Sequence, residues 1–168
     1  MKTLIVSAIL FLSTFTGDKW KLLTDNTNKF TIEHPADWKV SMLGDIEYLV
    51  TPLTDEKDLL AENLGIASVH NEFGKADLVA TAAAVKKHYK AIIKDYEYIQ
   101  SGEVDINGRK MFKINYNTSY DTIKMNITQY YYLTKTTTFI LTATMPAVNG
   151  DPKFLSISEK VVATFKEL

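Results

Sequence analysis

Cysteine is absent from the sequence. Disulfides, thiol catalysis, thiolate-bound metals and a lipid-modified N-terminal cysteine are thereby excluded. Glycine and proline are scarce, seven and four in 168 residues. That leaves no flexible or low-complexity linker, and one domain is the natural reading for this length. Neither sign of charge dominates, since 19 basic side chains stand against 20 acidic ones. A nucleic-acid binder needs a basic surplus or stripe, so that class of partner falls away. No apolar run reaches the ~20 residues that span a bilayer as a helix. Gly-x-Ser-x-Gly, His-Glu-x-x-His, the P-loop, the dinucleotide fingerprint and the EF-hand loop are all missing. The sequence therefore names no reaction and implies no cofactor.

What is present begins with "MKTLIVSAILFLSTFT", residues 1–16. One lysine, a short apolar middle and small hydroxylated residues form the layout of a secretory signal peptide. The expectation is a secreted or periplasmic protein whose folded part covers residues 19–168. An exported chain without cysteine fits a bacterial envelope better than a eukaryotic secretory route.

From Trp20 onward apolar and polar residues alternate, interrupted by the turn formers Asp25-Asn26-Thr27-Asn28 and by Gly44-Asp45. Short strands follow from that period, and "NLGIASVH" (63–70) reads as another. Between 76 and 95 the period changes. Leu78, Ala82, Val85, Tyr89 and Ile92 lie on one helical face, with Asp77 placed as N-cap and Lys87, Lys90 and Lys94 opposite. Asn107-Gly108 separates two alternating runs, the signature of a two-residue hairpin. "IKMNITQYYYLTK" and "TTFILTATM" read as long strands. Asp151-Pro152 announces a last helix, with Phe154, Ile157, Val161, Val162 and Phe165 as its apolar stripe to the end of the chain. Strands joined by hairpins imply an antiparallel sheet, and two amphipathic helices must bury their stripes against it. The fold class is α+β.

Three groups of residues are candidate sites. "FTIEHPADWKV" (30–40) brings together His34, Pro35, Asp37 and Trp38. As chemistry, His34 and Asp37 form an acid–base or metal pair. As structure, Pro35 takes the second position of a turn that delivers Trp38 into a core. A metal needs three or four ligands, and no further ligand stands at motif spacing, so the turn is favoured. His70 and Glu72 form a His-x-Glu that shares one face of a strand. With His34 they are the weak candidates for a metal site or for a small secreted hydrolase. The third group is tyrosine. Seven of the nine lie between residues 96 and 132. Strict alternation of "KMNITQYYYL" sets Tyr130 and Tyr132 on one face with Asn126 and Thr128. With Tyr116 they are the candidate ligand-binding residues, a surface for a sugar or a peptide if no helix covers it.

These landmarks, in order, resemble one family. "KFTIEHPADWKV" is similar to the Phe-x-Ile-x-(Tyr/His)-Pro-x-x-Trp-x-Val pattern that opens PsbP-like domains. These domains include plant photosystem II extrinsic proteins and many small exported bacterial proteins. "INGRKMFKINY" resembles the family's hairpin and apolar strand, "QYYYLTKTTTFILTAT" its paired strands, and "ISEKVVATFKEL" its closing helix. The resemblance runs over residues 19–168. It implies an antiparallel sheet between helices, an α/β/α sandwich, and accessory or binding roles rather than catalysis. A Ran-GTPase-binding nuclear factor shares the fold, so the scaffold hosts unrelated functions. No functional residue is carried over. The expected function is an exported, non-catalytic accessory or binding domain for an unidentified protein or small ligand.

Overall fold

The structure, a computed structural model, describes residues 19–52, 61–70 and 77–168. The expected leader and Glu72 lie outside the described residues, as does most of the charged loop 54–62. Strands β1 (Trp20–Asp25) and β2 (Phe30–Pro35) form the first hairpin. At its turn the Asp25 carboxylate accepts the backbone N–H groups of Thr27 and Asn28, both at 2.8 Å. β3 (Lys39–Leu43) and β4 (Ile46–Val50) meet at Gly44, whose φ of 61° is the left-handed conformation that glycine adopts without strain. β5 (Asn63–His70) and helix α1 (Leu78–Ile92) follow. Then come β6 (Glu97–Ile106), β7 (Arg109–Tyr120), β8 (Ile123–Leu133) and β9 (Thr137–Pro146). Asn107 and Gly108 both have positive φ, 52° and 76°, as a type I′ hairpin requires. Helix α2 (Phe154–Thr164) leads into β10 (Lys166–Glu167).

The α+β class holds, with every pairing among the described residues antiparallel. The strands divide between two sheets, of order β1-β2-β10 and β3-β4-β5-β9-β8-β7-β6. The larger sheet is the middle layer. On one face lie α2 and the small sheet, around a core of Phe30, Leu64, Ile66, Phe139, Leu141, Phe154, Val161 and Phe165. On the other face α1 rests on Phe112, Ile114, Tyr116, Ile127 and Tyr131.

Two helix expectations need correction. α1 turns Leu78, Ala82, Val85, Tyr89 and Ile93 to the sheet, while Ile92 is exposed. The inward face advances four residues at its end rather than three, which keeps the stripe aligned at 3.6 residues per turn. The last helix does not run to the end of the chain. After Phe165 the chain becomes extended, and Lys166 and Glu167 pair with Thr31 and Phe30. Phe165 stays buried because its ring stacks on Phe30 at 5.6 Å and meets Phe139 edge-on at 5.0 Å.

Candidate functional site

The turn after β2 answers the question of His34 and Trp38. Trp38 N–H donates to the Pro35 carbonyl at 3.1 Å, and Ala36 N–H to the Lys19 carbonyl at 2.7 Å. Pro35 is thus the first residue of the turn, one place earlier than its preference for the second position predicts. The turn delivers Trp38 inward. Its ring is 6% exposed and stacks on Phe154 of α2, centroids 5.7 Å apart. His34 shares the inner face of β2 with Phe30 and Ile32 and is 3% exposed. Its Nδ1 donates to the Pro35 carbonyl at 2.8 Å.

The two candidate histidines do not converge. His34 lines a shallow cleft with Lys21, Leu23, Ala36 and Val40, a cleft that does not include His70. His70 ends β5, paired with Thr137 in the other sheet. Among the described residues no group of three or more histidine and carboxylate side chains is placed to hold a metal.

The tyrosine expectation is also corrected. Alternation along β8 is as expected, but Tyr130 is buried, and Tyr132 is half-buried where it lines an open cleft with Arg109 and Leu133. Tyr130 points to the α2 side and is 2% exposed. Its hydroxyl donates to Glu159 of α2 at 3.3 Å, and Lys113 Nζ sits 5.2 Å from the ring centre. Tyr132 packs on Phe139 and Phe165 at 6.4 and 6.1 Å. Tyr116 lies under α1, against Tyr89 and Tyr96. Burial pushes the hydroxyl pKa of Tyr116 and Tyr130 well above the usual value. Helices need an apolar face to dock on, and here the tyrosine rings supply part of it.

A different feature lies beside the same turn. A cleft of about 470 Å³ opens between the first hairpin and the outer side of α2. Trp20, Pro35, Trp38 and Ile157 give it apolar walls, and Glu33, Asp37, Lys160 and Thr164 supply polar groups. It is a concave site of small-molecule size, mostly apolar with a few polar groups. The chain's two tryptophans both face it. Ile157, Lys160 and Thr164 come from successive turns of α2, one side of the helix. Thr164 fixes that side against β2. Its hydroxyl accepts the Glu33 N–H at 2.8 Å and shares its proton between the carbonyls of Val161 and Glu33, at 2.7 and 3.2 Å. Among the described residues Glu33, Asp37 and Lys160 form no ion pair within 4.0 Å. The cleft therefore presents both signs of charge uncompensated over an aromatic floor. The sequence reading missed it because Trp38 and Ile157 were accounted for as core. The available signal is that only two tryptophans exist, one opening β1 and the other just past the end of β2.

No family model matches the sequence, and no curated protein matches it. Solved structures do match. PA94 of Pseudomonas aeruginosa, a protein of unknown function, superimposes with a TM-score of 0.62 at 13% identity, over 86% of this chain and 94% of its own. The cyanobacterial PsbP (CyanoP) of Synechocystis sp. PCC 6803 gives 0.61 at 11% identity, over 95% and 99%. LpqN of Mycobacterium tuberculosis, involved in cell envelope biogenesis, gives 0.57 at 9%, over 87% of each chain. A protein of Bacteroides thetaiotaomicron matches at 0.60 and 15% identity, and this chain spans only 45% of its length. Likeness at such low identity is likeness of backbone and topology: the chain has a PsbP-like fold.

Proposed function

We propose that the protein is an exported, non-catalytic binding domain of the bacterial cell envelope, and that the tryptophan cleft is where it binds. The observation that carries this reading is the cleft itself, a concave site with an aromatic floor and unpaired charges on a scaffold whose histidines are kept apart. The leader pattern of residues 1–16 and the fold shared with LpqN support an envelope location. No helix among the described residues is long and apolar enough to cross a membrane. The hydrolase alternative asks His34 and His70 to act together, and their separate positions weigh against it. The tyrosine alternative asks for exposed rings, and the burial of Tyr116 and Tyr130 weighs against it.

The test is site-directed photo-cross-linking in intact cells, from a benzoylphenylalanine at position 157 in the cleft and, as control, at position 87 on the exposed side of α1. A discrete adduct from position 157 alone is the expected result. Equal labelling from both positions, or none from 157, refutes the cleft as the binding site. Retention of the protein in the cytoplasm, read by fractionation of the same cells, refutes the envelope role.

A further inference from the structure

The cleft's charges point to the chemistry of its ligand. α2 is stacked through Phe154 on Trp38 at one end and tied through Thr164 to Glu33 at the other. Lys160 lies between those two anchors along the helix. The lining therefore combines two carboxylates, Glu33 and Asp37, with one ammonium, Lys160. Opposite charges that neighbour one another on a surface commonly pair. Here no pair closes within 4.0 Å among the described residues, so each group keeps its hydrogen-bonding capacity for a third party. A purely anionic ligand meets two repelling carboxylates, and a purely cationic one meets Lys160. A ligand carrying one charge of each sign satisfies both.

The walls narrow the class further. Trp38 has one ring face covered by Phe154 and is nearly buried. The open flat platform that stacks a sugar ring is thus limited to Trp20. What remains is an apolar trough of Trp20, Pro35, Trp38 and Ile157 that accepts an aliphatic side chain. Its volume suits a few linked residues better than one free amino acid. We infer that the cleft binds a short zwitterionic peptide. The free amino group meets Glu33 or Asp37, the free carboxylate meets Lys160, and an aliphatic side chain lies on the tryptophans. This inference rests on the cleft being the binding site proposed above.

Both tryptophans line the cleft, so the protein's own fluorescence reports on this site. The experiment titrates the purified protein with alanyl-leucyl-alanine bearing free ends, with its N-acetylated, C-amidated form, and with maltose. The expected result is a saturable emission change with the free tripeptide and an affinity at least about tenfold weaker for the blocked form, as for the loss of charge-assisted hydrogen bonds. Lys160→Met, an exposed substitution, should weaken the free tripeptide by about tenfold and leave the blocked form unchanged. Equal binding of free and blocked peptides overturns the zwitterion assignment. So does a saturable response to maltose with none to the tripeptide. If nothing titrates while the cross-link from position 157 persists, the peptide inference fails and the envelope-binding reading stands. If both fail, the cleft itself is lost as a site.

Discussion

Among the described residues the two faces of the large sheet carry one helix each, and the two helices are held differently. α2 buries Phe154, Ser158, Val161 and Val162 completely or nearly so. Its N-terminal end stacks on Trp38, its last turn is tied to β2 through Thr164, and its continuation adds β10 to the small sheet. α1 has no buried residue at all. It touches its face through half-buried side chains and meets it in a layer of hydroxyls. Tyr89 donates to Gln129 at 2.7 Å, Tyr131 donates to the same oxygen at 3.1 Å, and the two hydroxyls also touch each other. Burial, with the neighbouring tyrosines behind it, pushes the Tyr131 hydroxyl pKa far upward, so that hydroxyl stays protonated throughout the ordinary pH range. A dry apolar stripe locks a helix through area removed from water. A half-exposed stripe over neutral hydrogen bonds leaves it closer to local opening. The candidate cleft lies against the locked helix, as a site that must hold its shape requires.

The largest test of this contrast is Phe154→Ala. It removes a fully buried ring and the platform under Trp38, and should cost about 3–5 kcal/mol in urea unfolding. Tryptophan emission should shift as the cleft floor loosens. A loss below about 1 kcal/mol would mean that α2 is not locked as described. A matched pair is more discriminating. Val161 and Val85 are the same residue type at inward positions of the two helices, buried in α2 and half-exposed in α1. Val161→Ala should cost about 2–3 kcal/mol and Val85→Ala less than about 1. Equal costs would erase the distinction.

Tyr131→Phe tests the hydroxyl layer alone. It keeps the ring and removes two contacts, to Tyr89 and Gln129. The expected cost is about 1 kcal/mol, since Tyr89 still satisfies the glutamine oxygen. Backbone amides of α1 should exchange faster with deuterium while those of α2 stay unchanged. Faster exchange in both helices would show that the two faces form one cooperative unit.

Legibility followed the range of the signal. β5 is read at its observed bounds because period and flanking residues both lie inside it. α1 and its cap are read because Asp77 sits next to the helix it starts, where its carboxylate accepts Val79 N–H at 2.9 Å. The Asn107-Gly108 hairpin is read because the positive φ requirement belongs to those two residues. The split into two sheets is not read, since strand period does not say which strand lies alongside. β10 is missed because Phe165 continues the helical spacing of Phe154 to Val162 and is buried for a different reason, its stacking on Phe30. The cleft is missed on the same grounds. It joins residue 20, residues 33–38 and residues 157–164, and no local pattern spans those separations. The burial of His34 is not read, although alternation from Phe30 and Ile32 puts it inside.

The smallest expected effect concerns charge at the margin of the α2 face. Glu47 shares the inner side of β4 with Leu49 and is 8% exposed, and its Oε2 has no hydrogen-bond partner. Burial, and then the charge of Asp25, raise its pKa above the usual carboxylate value. Asp25 behaves oppositely. Burial pushes it up, but the backbone and side chain of Asn28 and the backbone of Thr27 hold the net pKa below normal. For Glu47 the folded pKa exceeds the unfolded one. The group costs nothing when both states are protonated, and the cost appears as pH rises past the unfolded value near 4.5. For Asp25 the folded pKa is the lower one, so its contribution is complete above the unfolded value near 3.8 and is lost as pH falls through the folded one. Glu47→Gln should therefore stabilise the protein at pH 7 and leave it unchanged at pH 3. Asp25→Asn should destabilise at pH 7, with the loss shrinking toward pH 3. Thermal melts of both variants at the two pH values check the signs. A Glu47→Gln variant less stable than the parent at pH 7 would show that the α2 face welcomes this charge, and that the contrast between a dry face and a hydroxyl-lined face does not extend to its margin.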